Sequence, residues 1–164
     1  MKTEVSNTLR EPLNVLLVGN NPIEMGVVLE KLRHVRNRKV ITEIAFDIRS
    51  IVERLVSFKP NFIIIDDNIG RDGLIETINK LSSTRVTKNV PITVIKNSNY
   101  KESFASSSVL DYLLKQNLSS ETLYNTIKNA LRLKRTQRLL YKVYRRKKNL
   151  FREFAPKPLL NLIG

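Results

Sequence analysis

Residues 59–66 read Lys-Pro-Asn-Phe-Ile-Ile-Ile-Asp, an apolar run that ends abruptly at an acidic residue. The run is too short for a helix and rich in isoleucine, so it predicts a buried β-strand with Asp66 at its carboxyl end. Three other short apolar runs end in the same manner: residues 15–18 before Gly19 and Asn20, residues 92–95 before Lys96, and residues 113–114 before Lys115. Parallel strands place their carboxyl ends at one edge of a sheet, so these end residues are expected to share one crevice.

Stretches of helical periodicity separate the strands. Pro22 opens the first helix, and the others are predicted over residues 48–58, 73–81 and 100–107 and from Ser119-Ser120-Glu121 onwards. The second helix is expected to bury Ile51, Val52, Leu55 and Val56. With residues 40–46 as a further strand, the order is strand then helix, repeated five times. Right-handed crossovers then predict an α/β fold, a doubly wound five-stranded parallel sheet in one domain.

Composition excludes several kinds of site. The chain has no cysteine and only His34 as histidine, so disulfides, thiolate catalysis and clusters of histidine or cysteine metal ligands are excluded. No apolar run approaches the roughly 20 residues of a membrane span, and the polar start lacks a signal-peptide core. We therefore expect a cytoplasmic protein with no membrane span.

Four segments together resemble a known family. They are Asn14-Val-Leu-Leu-Val-Gly-Asn-Asn-Pro22, Lys59-Pro-Asn-Phe-Ile-Ile-Ile-Asp66, Pro91-Ile-Thr-Val-Ile95 and Asp111-Tyr-Leu-Leu-Lys115. Over residues 13–132 the chain resembles the CheY-like receiver domain of bacterial response regulators, which has a flavodoxin-like fold. The resemblance implies two-component signalling, in which a histidine kinase phosphorylates the aspartate after the third strand. It also implies an acidic pair that binds Mg²⁺, a Thr or Ser after the fourth strand and a lysine after the fifth.

Three positions match the family's functional residues. Asp66 is the equivalent of the phosphoacceptor, Lys115 of the invariant lysine, and Tyr112 of the aromatic switch residue. The other positions depart from the pattern: Gly19 and Asn20 stand at the acidic pair, and Lys96 stands where Thr or Ser is usual.

These departures change the charge of the predicted crevice. One carboxylate, or two if Asp67 also faces inward, would oppose Lys96 and Lys115. Because Mg²⁺ relies on carboxylates to hold it, we expect weak or absent Mg²⁺ binding and no other cofactor. Asp66 is expected to form an ion pair with Lys115, Lys96 or both. A working phosphoacceptor and a site for an anion or nucleotide stay open as alternatives.

Charge is concentrated near the C-terminus. The chain has a net charge of +14, and residues 131–164 contain 11 basic residues and one acidic residue. The fifth helix is predicted to continue beyond the domain. The predicted division of the chain is an N-terminal arm at 1–12, the receiver-like domain at 13–132, a basic amphipathic extension of the fifth helix at 133–155 and an apolar tail at 156–164. Its basic residues include Arg138, Lys142, Arg145, Arg146, Lys147 and Lys148. Its apolar face includes Leu140, Val143, Tyr144, Leu150 and Phe151.

The extension predicts an interaction with a partner. Its apolar face would bind a second copy of the chain or another protein, although Lys147 interrupts a coiled-coil pattern. The basic residues, with a cluster after the first helix at Lys31, Arg33, Arg36, Arg38 and Lys39, would favour an acidic protein, nucleic acid or anionic lipid. The sequence thus predicts a non-enzymatic, atypical receiver that acts by protein interaction with little or no Mg²⁺-dependent phosphorylation. The alternatives are a functional phosphoacceptor at Asp66 and a nucleic-acid-binding regulator.

Overall fold

The computed structural model describes residues 11–36, 38–97 and 109–154, with the side chains of 153 and 154 left out. The strands are β1 (Leu13–Val18), β2 (Val40–Ala45), β3 (Phe62–Asp66), β4 (Ile92–Lys96) and β5 (Val109–Leu114). The helices are α1 (Pro22–Arg33), α2 (Ile48–Ser57), α3 (Arg71–Ser83) and α4 (Ser120–Phe154). Short 3-10 turns follow β3 at Asp67–Ile69 and β5 at Lys115–Asn117. Most of the predicted arm, the helix predicted over residues 100–107 and the tail at 156–164 lie outside the described residues.

All five strands are parallel, in the order β2-β1-β3-β4-β5. This order confirms the predicted doubly wound sheet. The chain leaves β1 for one edge of the sheet and returns to β3 on the other side, so the strand order reverses between these two neighbours. Val18 lies opposite Ile65 in the register, which places the following residues, Gly19 and Asp66, side by side at the carboxyl edge.

The sheet separates two hydrophobic cores. Phe62 and Ile64 of β3 face a core shared with α1 and α4, whereas Ile63 and Ile65 face the opposite core with α3. Because side chains alternate along a strand, Asp66 continues the face of Phe62 and Ile64. The acidic end of β3 therefore lies on the side of the sheet that α1 covers.

The prediction for the buried face of α2 is wrong at two positions. Ile51 is fully buried and Leu55 packs against the core, but Val52 is 46% exposed and Val56 is 85% exposed. The helix contacts the sheet along one narrow arc. Each valine is displaced about 100° from its buried neighbour, which turns it away from that contact.

Helix α4 extends well past the domain, as predicted. It has 35 residues and is about 50 Å long. Ser119 caps its start by accepting a hydrogen bond from the Thr122 N–H at 3.0 Å. Leu123, Ile127 and Ala130 are buried against the sheet, but every side chain from 135 to 152 is exposed. No helix in the described ranges is both long and apolar enough to cross a membrane.

Candidate functional site

Asp66 lies at the point where the strand order reverses, and its side chain is only 1% exposed. Its Oδ1 atom accepts a hydrogen bond from the Asn68 N–H at 2.9 Å and contacts the Lys115 Nζ at 2.8 Å. The first contact arises locally, because an aspartate side chain readily caps the turn that follows it. The second contact joins the ends of β3 and β5. Of the two lysines predicted to pair with Asp66, the structure places Lys115 on it.

Lys115 is held by two carboxylates. Its ammonium contacts Asp66 and also donates a hydrogen bond to Glu24 Oε2. Partial burial by itself would lower the pKa of Lys115. The hydrogen bonds to Asp66 and Glu24 raise it by more than burial lowers it, so the pKa lies above the ordinary lysine value. The lysine is therefore charged at neutral pH and joins the end of β5 to both β3 and α1.

Glu24 is the site residue that sequence reasoning missed. It lies in the first turn of α1, where Asn21 caps the helix by accepting hydrogen bonds from the N–H groups of Ile23 and Glu24. This turn begins at the carboxyl edge of the sheet, so its side chains reach the crevice. An acidic residue three positions after a helix cap was the available signal, but such residues are common at helix starts.

The predicted charge balance of the crevice is corrected by Glu24. Among the described residues, three carboxylates, those of Glu24, Asp66 and Asp67, accompany Lys96 and Lys115, whereas the sequence predicted one or two carboxylates. The additional negative charge comes from α1 rather than from the end of β1, and it is already paired with Lys115.

Asn68 connects several parts of the crevice. Its side chain donates to Glu24 and accepts from the Asn97 side chain, and its carbonyl accepts from Asn20 Nδ2 at 3.1 Å. Asp67 Oδ2 accepts a hydrogen bond from the Asn97 N–H at 3.2 Å. Burial raises the pKa of Asp67, and this hydrogen bond and the nearby positive charges offset the rise only in part. Amide groups thus occupy much of the rim around Asp66.

The residues that stand at the family's acidic pair do not supply carboxylates, and one of them has little room for a side chain. A Cβ atom at Gly19 would lie 3.1 Å from Asp66 Cβ and 3.1 Å from Met25 Sδ. Asn20 is exposed and uses its amide to contact Asn68. Glycine therefore fits the close approach of β1, β3 and α1 at this point.

Lys96 and Tyr112 form a separate contact on the other face of the sheet. The Lys96 Nζ lies 4.6 Å from the centre of the Tyr112 ring, a cation–π geometry. Burial raises the pKa of the Tyr112 hydroxyl. Lys96 also contributes positive charge near Asp67, where it lowers the pKa of that carboxyl. The family's Thr or Ser position is thus occupied by a lysine that lies over the aromatic residue.

The crevice does not fit Mg²⁺. Gly19 and Asn20 bring no carboxylate, and Lys115 places a positive charge between Glu24 and Asp66. Among the described residues, no group of three or more His, Cys, Asp or Glu side chains is arranged to hold a metal ion. Mg²⁺ needs several oxygen ligands in octahedral geometry, and an ammonium group at the same carboxylates repels it.

The predicted surface residues of α4 are all exposed. They comprise the basic set Arg138, Lys142, Arg145, Arg146, Lys147 and Lys148 and the apolar set Leu140, Val143, Tyr144, Leu150 and Phe151. The second basic cluster was predicted to follow the first helix, but Lys31 and Arg33 lie in the last turn of α1, and only Arg36, Arg38 and Lys39 follow it. Helix α1 packs against α4. In this cluster the Arg38 Nε donates to the Glu11 carbonyl at 2.8 Å.

Comparison with known proteins identifies the fold. No family model and no curated protein matches the sequence. One similar solved structure is the receiver domain of a sensor histidine kinase from Pseudomonas aeruginosa PAO1, described with a magnesium ion in its active-site cleft. It is 16% identical to this chain with a TM-score of 0.61, and the match covers 74% of this chain and 98% of that domain. The chemotaxis response regulator CheY4 of Vibrio cholerae is 20% identical with a TM-score of 0.60, covering 73% and 99%.

A third similar structure reaches further along the chain. It is a fusion containing a trimeric coiled-coil segment of yeast Spc42, 17% identical with a TM-score of 0.63, and it covers 90% of this chain and 99% of its own. Together with the strand order and the Asp66–Lys115 contact, these likenesses show that the chain has the CheY-like receiver fold of response regulators.

Proposed function

We propose that this protein is an atypical receiver module of two-component-type signalling that binds protein partners and undergoes little or no Mg²⁺-dependent phosphorylation. The proposal treats the chain as a non-enzymatic, cytoplasmic binding protein, with a histidine kinase or another signalling protein as partner. The receiver fold supports the signalling context, and the composition of the crevice supports the departure from ordinary phosphorylation.

The Glu24–Lys115–Asp66 arrangement carries this proposal. In a receiver that uses Mg²⁺, the cation neutralises charge on the phosphoryl group during transfer to the aspartate. Here the Lys115 ammonium contacts Asp66 at 2.8 Å and is also held by Glu24. Lysine provides charge but not the octahedral geometry that positions a phosphoryl group. We therefore expect phosphoryl transfer to Asp66 to be slow or absent.

Direct labelling tests the proposal. The full chain is incubated with acetyl phosphate and Mg²⁺, and intact mass spectrometry measures the fraction that gains one phosphoryl group. An ordinary receiver treated in parallel shows that the donor is active, and Asp66→Asn identifies labelling at other residues. We expect no difference between this protein and Asp66→Asn. Rapid, Mg²⁺-dependent labelling that disappears in Asp66→Asn would contradict the proposal.

One observation favours the alternative of a functional phosphoacceptor. Asp66 Oδ2 is buried and has no hydrogen-bond partner among the described residues. No donor among the described residues engages the lone pairs of this oxygen. A nucleophilic oxygen requires such available lone pairs. The same labelling experiment decides between the two functions. If the alternative holds, Lys115→Met lowers the labelling of Asp66, because the lysine would stabilise the transferred phosphoryl group.

A further inference from the structure

The part of α4 beyond residue 134 exposes an apolar stripe to solvent. At 100° per residue its members lie within one arc of the helix, and each is between 51% and 75% exposed. The apolar stripe comprises Leu139, Leu140, Val143, Tyr144, Leu150 and Phe151. A contiguous apolar surface of this kind on a projecting helix is typical of an interaction site.

Positive charge covers the opposite arc. The basic face comprises Arg138, Lys142, Arg145, Arg146, Lys148 and Arg152, all of them exposed. The sequence from 122 to 152 contains no aspartate or glutamate, and the acidic residues of the helix, Glu121 and Glu153, stand near its two ends. The basic face of the helix therefore attracts negatively charged groups, and the apolar stripe on its other side can bury apolar groups of a partner.

Lys147 distinguishes among the partners that could cover the stripe. Around the helix, Lys147 falls near the middle of the apolar arc. Along the helix axis, Leu140 and Val143 precede it and Leu150 and Phe151 follow it. A bilayer would place this ammonium at the deepest part of the buried face. An in-register second copy would bring two Lys147 side chains together, and nucleic acid held by the basic face would leave the stripe in water.

We propose that the apolar stripe binds an acidic amphipathic helix of another protein. The partner's apolar residues cover the stripe, and its carboxylates pair with Lys147 and with Arg146 and Lys148, which flank the stripe. The inference rests on the proposed function only in requiring a protein partner. The surface lies outside the crevice, so its binding does not depend on the phosphorylation of Asp66.

The test measures binding of the full chain to a designed peptide by fluorescence anisotropy. The labelled peptide is a helix with leucine at its core heptad positions and glutamate at the flanking positions. A matched peptide keeps the leucines and replaces glutamate with lysine. We expect the acidic peptide to bind at least about tenfold more tightly than the basic one, with affinity that decreases as salt rises.

Variants of the exposed surface assign the binding to the stripe. Leu140→Ser with Val143→Ser, and separately Lys147→Glu, are each expected to weaken binding of the acidic peptide about tenfold or more. These side chains are exposed, so the substitutions leave the fold intact, which circular dichroism verifies. The controls are Val56→Ser, an exposed valine of α2, and Lys88→Glu, which changes the net charge away from α4. Both controls should bind like the unaltered chain.

Other occupants give different results, and each would overturn the proposal. Self-association in sedimentation that is lost in the Leu140→Ser, Val143→Ser variant, without peptide binding, indicates a second copy. Preferential binding to phosphatidylglycerol vesicles or to duplex DNA, again without peptide binding, indicates lipid or nucleic acid. Equal affinity for the acidic and basic peptides would also refute it. Asp66→Asn should leave peptide binding unchanged, so failure here is separable from failure of the phosphorylation test.

Discussion

The Glu24 carboxylate and the Lys115 ammonium form a hydrogen-bonded ion pair across 91 residues of sequence. The pair brings α1 to the end of β5, and the same ammonium contacts Asp66 at the end of β3. A negative charge that receivers ordinarily place after the first strand is thus supplied here from the next helix. Lys115 thus compensates part of the negative charge of these two carboxylates without a metal ion.

Glu24→Gln is expected to lower the free energy of unfolding by about 1 kcal/mol, since the charge-assisted hydrogen bond to Lys115 is lost and Glu24 is only partly buried. Urea denaturation monitored by circular dichroism measures the change. Glu30→Gln, an exposed glutamate of the same helix, is the matched control and should have little effect. Equal stability of the two variants would argue against the ion pair.

Asp66→Asn should destabilise the protein by roughly 1–3 kcal/mol, because it removes the buried partner of Lys115 and leaves that ammonium with Glu24 alone. Thermal and urea unfolding measure the change. The same substitution would also relieve the repulsion between Asp66 and Asp67, so the sign of the effect shows which interaction is stronger. An unchanged or raised melting temperature would show that the Asp66–Lys115 contact does not stabilise the fold.

Unlike Asp66, Asp67 is expected to lower the stability of the folded protein when its side chain is ionised. Burial raises its pKa in the folded state, so the folded protein holds the proton more tightly than the unfolded chain. Stability is therefore expected to fall as pH rises from about 3.9, the unfolded value, through the higher folded value, and to stay lower above it. Asp67→Asn removes this dependence, and unfolding of both proteins between pH 3.5 and about 7 measures the difference.

Asp47 provides a control of opposite sign for the Asp67 experiment. Its carboxylate accepts a hydrogen bond from the Ser50 N–H at 2.7 Å, and this bond lowers the pKa of Asp47. Its contribution to stability is present above the unfolded pKa and is lost as pH falls through the lower folded value. Asp47→Asn should therefore weaken the protein at neutral pH, where Asp67→Asn should not. Parallel pH profiles for the two variants would contradict the assigned shifts.

Mg²⁺ is expected to bind the crevice more weakly than millimolar, since Gly19 and Asn20 supply no carboxylate. Isothermal titration calorimetry measures the affinity, and a sub-millimolar constant would refute the expectation. A variant with Gly19→Asp, Asn20→Asp and Lys96→Thr should gain affinity. It should also lose roughly 1–3 kcal/mol of stability, because the new Cβ at position 19 would lie 3.1 Å from Met25 Sδ.

Ending the chain after Leu133 should leave a folded domain. The buried residues of α4, Leu123, Ile127 and Ala130, remain, whereas the side chains from 135 to 152 are all exposed. We expect the free energy of unfolding to change by no more than about 1 kcal/mol, because little apolar surface leaves the core. Size-exclusion chromatography and urea denaturation test this. Loss of cooperative unfolding would show that the extension is part of the core.

The strands and their common edge followed directly from the sequence. Short apolar runs that end at small or polar residues predicted β1, β3, β4 and β5. Their convergence predicted that Asp66 would pair with Lys115, Lys96 or both, and the structure shows the contact with Lys115. The long amphipathic α4 was also predictable, since helical periodicity is a local property of the chain. These features depend on near neighbours in sequence or on the fixed geometry of parallel sheets.

The partners of each charged side chain depended on the tertiary structure. Glu24 looked like an ordinary first-turn acid, yet the packing of α1 brings it to Lys115. Lys96 and Lys115 both follow apolar strands, but alternation along the sheet places Lys96 over Tyr112 and Lys115 on Asp66. The sequence determined which residues reach the carboxyl edge of the sheet. Only the packing of elements distant in sequence decided which of them touch, because a side chain's contacts depend on the direction in which each element presents it.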